Sequence, residues 1–257
     1  SVDSAGYSIS NSPGTGLEMF NFTKGVAKLN STRITNYFQG KSKNYLLNNG
    51  ATINYIAGIR TNYWNYNQEL FVSPRLIIGY KPDWNKDFVF SGSVGSYNQS
   101  PFFREIRNKY GSINENIKSQ KSIHYVLSSD YQFNMWDRPF KFNTSIYYKY
   151  LWDLIPYEIN NLQINYLTNE IATGYATGLD LKLFGEFVPG VDSWFSVSLL
   201  STQEDILGDG HGFIPKPTDQ RLKCSIFFQD YLPKFPKYKV NLNLSYAQID
   251  YTRRNAM

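Results

Sequence analysis

An all-β fold, an antiparallel up-and-down barrel that crosses a membrane, is the fold class that this sequence predicts. Runs of β-branched and aromatic residues alternate with polar residues at a period of two, which is typical of strands with one apolar and one polar face. Most of these runs have about ten residues or more, whereas strands of soluble proteins usually have about 5–6. Every second connection between the runs is short.

About ten strands are predicted, and Gly, Pro, Asn and Asp clusters separate them. Residues 1–30 are rich in turn-forming residues and are predicted to be a loop. In the sixth strand, Phe142, Thr144 and Ile146 lie on one face. Lys141 and Asn143 lie on the other. The predicted strands cover residues 32–46, 52–63, 71–80, 88–97, 122–135, 140–150, 174–187, 193–205, 221–230 and 238–247.

The connections alternate in length. Short turns are predicted at residues 48–50, 82–87, 136–139, 188–193 and 232–237. Longer connections lie between them, at residues 64–70, 98–121, 152–173 and 205–220. In a meander, this alternation places all short turns at one end of the sheet and all long loops at the other.

The apolar face is predicted to face lipid, because the strands are long and end in aromatic residues, as in outer-membrane barrels. In hydrocarbon a closed barrel pairs every backbone group without leaving an edge. The predicted lipid-facing residues are Phe142, Ile146, Leu179, Leu181, Phe195, Val197, Leu199, Leu242 and Leu244. The residues expected at the ends of the strands, as aromatic rows, are Tyr63, Trp64, Tyr80, Tyr97, Trp136, Tyr150, Trp152 and Trp194.

Composition argues against several classes of protein. Charged residues make up 18% of the 257-residue chain, below the ~25% of typical soluble domains. No apolar run of about 18 residues predicts a membrane-spanning helix, and residues 1–12 do not resemble a signal peptide. The net charge of +5 comes from scattered Lys and Arg residues, so nucleic-acid binding is not predicted. Cys224 is the single cysteine, which excludes an internal disulfide.

Two of the long connections carry candidate ligand-binding residues, because rigid aromatic rings next to charged and amide groups can stack on a ligand and hydrogen-bond to it. The alternative is that these residues pack on neighbouring loops. The candidates are Phe102, Phe103, Arg104, Glu105, Arg107 and Tyr110 in the first connection and Tyr157, Glu158, Asn160 and Asn161 in the second.

No metal site, cofactor or catalytic group is predicted. Glu204, Asp205, Asp209 and His211 are close in sequence but lack the spacing of a calcium loop, which favours a solvated Gly-rich loop. Neither histidine has a recognisable nucleophile partner, so the protein is not expected to be an enzyme. The charged residues of the polar face are expected to form cross-strand ion pairs: Lys141, Lys149, Asp180, Lys182, Glu186, Arg221 and Lys223.

Several segments resemble the barrel of TonB-dependent outer-membrane receptors of the Bacteroidetes type. Examples are SPRLIIGYKP at residues 73–82, WDRPFKF at 136–142, GYATGLD at 174–180 and GFIPKPTDQR at 212–221. Further similar segments lie at residues 97–105, 120–124, 147–157, 185–190 and 227–233. The resemblance covers most of residues 30–246.

The resemblance implies that residues 1–257 form the C-terminal portion of a barrel of about 22 strands, without the plug and the last strand. It implies a bacterial outer-membrane protein that binds a ligand at the cell surface and imports it with TonB-coupled energy. The implied partners are outer-membrane lipid, the remainder of the receptor including its plug, the TonB complex, and a small-molecule, peptide or glycan ligand. The alternatives are a soluble all-β glycan-binding module and a passive outer-membrane barrel or adhesin.

Overall fold

The computed structural model describes residues 2–9, 17–25, 29–108, 110–160, 163–216, 219–232 and 234–248. None of these residues forms a helix that is long and apolar enough to cross a membrane. The first eight strands are β1 Val2–Ile9, β2 Leu17–Gly25, β3 Arg33–Lys41, β4 Tyr45–Leu46, β5 Thr52–Trp64, β6 Glu69–Lys81, β7 Asp87–Gln99 and β8 Gln120–Met135. The remaining strands are β9 Arg138–Leu154, β10 Tyr157–Asn160, β11 Gln163–Tyr166, β12 Ala172–Val188, β13 Val191–Ile206, β14 Ile214–Pro215, β15 Leu222–Leu232 and β16 Phe235–Gln248.

Ten long strands form one antiparallel sheet, in which each long strand pairs with the next one along the chain. Their order is β3-β5-β6-β7-β8-β9-β12-β13-β15-β16, and the short strands β4 and β14 pair with β5 and β13. The predicted all-β class and up-and-down order are therefore confirmed. The sheet is not closed: in the described part of the chain, β3 and β16 each have only one long neighbour.

Three local elements differ from the prediction. Residues 2–9 and 17–25, expected to belong to a loop, form the paired strands β1 and β2. The expected first strand is divided into β3 and β4. The long connection after β9 contains the hairpin β10–β11, whose strands of four residues are too short to show a clear alternation in sequence.

The short turns have the backbone geometry that tight hairpins need. Trp136 and Asp137 have φ values of 55° and 58°, and this pair of positive values is the signature of a two-residue type I′ turn between β8 and β9. Gly50 has a φ of 80° and Gly190 one of 75°, which glycine adopts at little steric cost. These turns keep one end of the sheet compact, and we call it the turn end.

All nine residues predicted to face lipid lie on one face of the sheet, which we call the apolar face. One row across the strands runs through Leu127, Ile146, Leu179, Leu199 and Leu222, and a second runs through Tyr131, Phe142, Leu183, Phe195, Ile226 and Leu244. Ile146 is 57% exposed and Leu199 is 46% exposed, while Val197 is half-buried. Among the described strand positions, Asp, Glu, Lys and Arg occur on this face only near the strand ends.

A row of aromatic rings lies at the turn end of the apolar face. The ring centroids of Phe88 and Tyr131 are 4.2 Å apart, those of Tyr131 and Phe133 are 4.9 Å apart, and those of Phe140 and Phe187 are 5.1 Å apart. Trp84 packs edge-on against the ring of Phe88, which extends the row into the turn after β6. We call this group the turn-end aromatic row.

Three residues expected in such rows lie elsewhere. Trp64 is 1% exposed, because it is buried under a loop on the opposite, polar face. Tyr97 stacks on the ring of His124, and Trp194 lies under the ammonium group of Lys182, which places both on the polar face too. These three residues lie near strand ends, as predicted, but the alternation of side chains along each strand places them on the polar face.

The polar face holds its charges in two ways. Lys141 pairs with Asp130 across β8 and β9, with Nζ and Oδ2 3.0 Å apart, as expected. Lys149 and Lys182 instead place their ammonium groups over the rings of Tyr147 and Trp194, each at 4.9 Å from the ring centroid. The expected ion pairs therefore form only in part: Lys149 and Lys182 make cation–π contacts instead, and Arg221 pairs with Asp219 in the neighbouring loop.

Candidate functional site

The long loops form a packed cap at the end of the sheet opposite the turn end, and we call it the loop end. Two clusters of buried apolar side chains lie in this cap. The first joins Trp64, Ile106, Ile117 and Ile155, and the second joins Leu154, Ala172 and Ile206. Because apolar burial is concentrated here, the loops are fixed to the sheet and can hold side chains in defined positions.

The first of these loops, at residues 100–119, leans over the polar face. β7 pairs with β6 only as far as Gly95, and beyond it β7 pairs with β8 alone. The Nδ2 of Asn62 in β5 donates to the Oδ1 of Asn98, 2.7 Å away, and Lys121 places its ammonium group 5.3 Å from the ring of Phe71. The ends of β7 and β8 therefore reach across β6 towards β5.

Glu69 fastens this loop to the sheet. Its Oε2 accepts hydrogen bonds from the backbone N–H of Ser119 at 3.0 Å and from the Ser119 hydroxyl at 2.5 Å. The Nδ2 of Asn67 donates to the same oxygen. Hydrogen bonds to a carboxylate are stronger than those between neutral groups, so Glu69 holds the end of the loop against β6.

The structure places the first group of predicted ligand residues on the outer part of this loop. Phe102, Phe103 and Tyr110 are 57%, 54% and 73% exposed, and Arg104 is also exposed. Glu105 accepts a hydrogen bond from the backbone N–H of Phe102 at 2.8 Å, so its carboxylate closes the turn. Arg107 forms an isolated bridge with Ile113 and is half-buried.

The second group lies beside the first. Tyr157 and Glu158 belong to β10, and the Tyr157 ring lies 6.1 Å from that of Tyr166 in β11. Tyr166 packs against the first buried cluster, and burial raises the pKa of its hydroxyl, with the nearby carboxylate of Glu105 raising it further. Asn160 pairs with Gln163 through its backbone, while Asn161 lies outside the described residues. The fold thus brings two loops that are distant in sequence to one place.

The third long loop, between β13 and β15, is held against β13 by Lys216 and by the carboxylate of Asp219. The Nζ of Lys216 lies 3.2 Å from the Oε2 of Glu204, which is 2% exposed. The Nε of Arg221 lies 2.6 Å from the Oδ2 of Asp219, and the other oxygen of this fully buried carboxylate accepts the backbone N–H of Thr202 at 3.0 Å.

Two of the four residues considered as calcium ligands, Glu204 and Asp209, make other contacts. Glu204 points to Lys216, and Asp209 accepts the backbone N–H of His211 at 2.9 Å. Across the described residues, the structure contains no group of three or more His, Cys, Asp or Glu side chains placed to hold a metal ion.

A polar cavity of about 240 Å³ lies beneath the start of the first loop. Arg33, Arg60, Asn62, Asn98 and Phe102 line it together with Thr35, Tyr63, Gln99 and Ser100. Two of these residues are basic and none is acidic. Only Phe102 was predicted from sequence as a ligand residue. The others lie near the ends of strands or, for Ser100, just after one. They become neighbours only through the pairing of β3 with β5 and the tilt of β7 over β6.

The fold and the cavity define the chain as an all-β protein built on an antiparallel up-and-down sheet, with a loop-covered polar cavity at one end. Comparison with protein-family models, with curated proteins and with solved structures found no match for this chain.

Proposed function

We propose that this chain forms part of the wall of an outer-membrane transporter of the TonB-dependent receptor type. In this proposal, the apolar face meets lipid, the polar face lines the lumen, and the loop end binds a ligand at the cell surface. The energy for import comes from the TonB complex, acting on the plug of the same receptor.

The observation that carries the proposal is the uncovered apolar face. Ile146, Leu199 and Leu244 lie near the middle of long strands and are 46–57% exposed. Monomeric soluble proteins rarely expose a continuous apolar surface of more than a few hundred Å². A bilayer would cover this face.

The turn-end aromatic row supports the same orientation. Outer-membrane barrels carry aromatic rings at both interfaces of an apolar band about 25 Å tall, with short turns on the periplasmic side and longer loops outside. The row formed by Phe88, Tyr131, Phe133 and Phe140 lies beside short turns. We therefore assign the turn end to the periplasmic side and the loop end to the cell surface.

Lipid contact can be tested with brominated lipids, which quench a tryptophan that lies among the acyl chains. In a background without the native tryptophans of the sheet, Leu199→Trp on the apolar face is expected to be strongly quenched. Ser198→Trp, one residue away on the polar face, is the matched control and is expected to be quenched weakly. Equal quenching of the two variants, or a chain that is monomeric and stable in buffer without detergent, contradicts the membrane assignment.

Energy coupling needs a separate test in cells that produce the whole receptor. Ferric chelates, cobalamin, peptides and oligosaccharides are offered as radiolabelled ligands, with and without an uncoupler of the proton gradient. The proposal expects surface binding to persist and accumulation to stop when the gradient is dissipated. Accumulation that continues at the same rate identifies a passive barrel instead.

A further inference from the structure

We infer that the cavity beneath the first loop binds an anionic group of the ligand, a carboxylate or a phosphate. The inference deepens the proposed function and rests on it for the ligand's identity, while binding of the anion itself depends only on the cavity. Ligand pockets that hold a whole small molecule usually have about 300–1,000 Å³. A cavity of about 240 Å³ is suited to one functional group of a larger ligand.

The charge of the cavity comes from two guanidinium groups. Arg33 is held in place, because its Nη2 donates to the backbone oxygen of Pro101 at 2.6 Å and its guanidinium carbon lies 5.0 Å from the centre of the Trp64 ring. Arg60 is exposed, and it has no carboxylate partner among the described residues. A planar guanidinium presents several N–H groups and matches carboxylate and phosphate oxygens with two parallel hydrogen bonds.

The neutral side chains add hydrogen-bond donors to this positive charge. The Thr35 hydroxyl donates to the Oδ1 of Asn62 at 2.7 Å, and the Nδ2 of Asn62 donates to the Oδ1 of Asn98 at 2.7 Å. Each of the two amide oxygens therefore already accepts one hydrogen bond. The remaining Nδ2 of Asn98 is buried and has no acceptor among the described residues. Two guanidinium groups and no carboxylate in the lining favour an anion over a cation.

One side of the cavity is apolar. Phe102 lines it and is 57% exposed, so its ring can stack on a flat or apolar part of the ligand next to the anionic group. The expected ligand therefore carries a carboxylate or phosphate attached to a larger body that extends towards the exposed loop residues Phe103 and Arg104.

The test uses the whole protein that contains this chain, in detergent micelles, and two probes, inorganic phosphate and glutarate, with binding measured by isothermal titration calorimetry. Glutaramide, which has the shape of glutarate without its charge, is the control probe. Arg60→Gln removes one charge from the cavity without breaking an ion pair in the described structure. It is expected to weaken anion binding about tenfold, the effect of losing one charge-assisted hydrogen bond.

Lys223→Gln is the matched control variant, because it removes an equal charge from an exposed position of the same polar face, outside the cavity. It should bind the probes as the unaltered chain does. Binding of phosphate alone identifies a phosphoryl group, and binding of glutarate alone identifies a carboxylate. The inference is overturned if neither anion binds, if glutaramide binds as tightly as glutarate, or if both variants weaken binding equally.

These outcomes separate the inference from the proposed function. If lipid quenches the Leu199→Trp variant but neither anion binds, the membrane assignment stands and the anion site is refuted. If the chain is stable in plain buffer and binds an anion through Arg60, the membrane assignment is refuted and the anion site stands.

Discussion

An arginine placed on the apolar face discriminates between a bilayer and water as the solvent of that face. Leu199 lies near the middle of β13, and its cross-strand neighbours on the same face are Leu179 and Leu222. Ser198 precedes it and points to the polar face, between Asp180 and Lys223. Leu199→Arg and Ser198→Arg therefore add the same side chain to the same strand, at the same depth, on opposite faces.

The two environments predict different free energies of unfolding. At the midplane of a bilayer, an arginine on the lipid face of a barrel costs about 2–4 kcal/mol. In water, Leu199 is already 46% exposed, so the substitution loses about half of the ~1.5–3 kcal/mol gained by burying a leucine. The aliphatic stem of arginine recovers part of that loss, which leaves about 1 kcal/mol or less.

The measurement is reversible unfolding by guanidinium chloride of the whole receptor in lipid vesicles, followed by tryptophan fluorescence. We expect Leu199→Arg to lower the free energy of unfolding by about 2–4 kcal/mol relative to Ser198→Arg. A difference of less than about 1 kcal/mol refutes the assignment of the apolar face to lipid.

Three further predictions concern the loop end and the strands beneath it. Glu69→Ala removes the acceptor of three hydrogen bonds and is expected to raise proteolytic cleavage within residues 100–119 by about tenfold or more, whereas Glu170→Ala, at an exposed position, should not. Gly178→Ala places a Cβ against the Tyr147 hydroxyl and 2.6 Å from the backbone oxygen of Leu199, so it should destabilise the fold by about 1–3 kcal/mol in equilibrium unfolding. Its control is Gly92→Ala, where the nearest atom lies 3.5 Å away and little change is expected. Replacing both Arg104 and Tyr110 by Ala in the whole receptor should reduce ligand uptake, and normal uptake at a normal surface level contradicts a role for the outer loop.

Much of the sheet could be predicted from sequence because strand periodicity is a local property. Phe142, Ile146 and Leu199 were assigned to one face from alternation alone, and the register places them there. The positions of the turns were also predicted from sequence. Asn-Asn-Gly ending at Gly50 and Pro-Gly ending at Gly190 both form tight turns with positive φ at glycine. The short hairpin β10–β11 was missed, since four residues are too few for a periodic signal.

The candidate site was only partly predictable. Phe102 and Tyr157 were predicted as ligand residues because each belongs to a long connection rich in aromatic and charged residues, and both lie at the loop end. Arg33 and Arg60 belong to strands, where alternation marks them only as polar-face residues. Their common cavity depends on the bend of β7 after Gly95, a feature that arises from contacts between distant residues such as Asn62 and Asn98.

The sequence by itself determined the strand periodicity, the turn positions and the separation of apolar from polar faces, because each depends on neighbouring residues and on the two-residue repeat of an extended chain. Only the tertiary structure decided that Trp64 is buried beneath a loop, that Glu69 and Asp219 anchor the loops, and that two arginines share a donor-rich cavity. Those features require chain segments 17 or more residues apart to meet, and no local pattern records which distant side chains become neighbours.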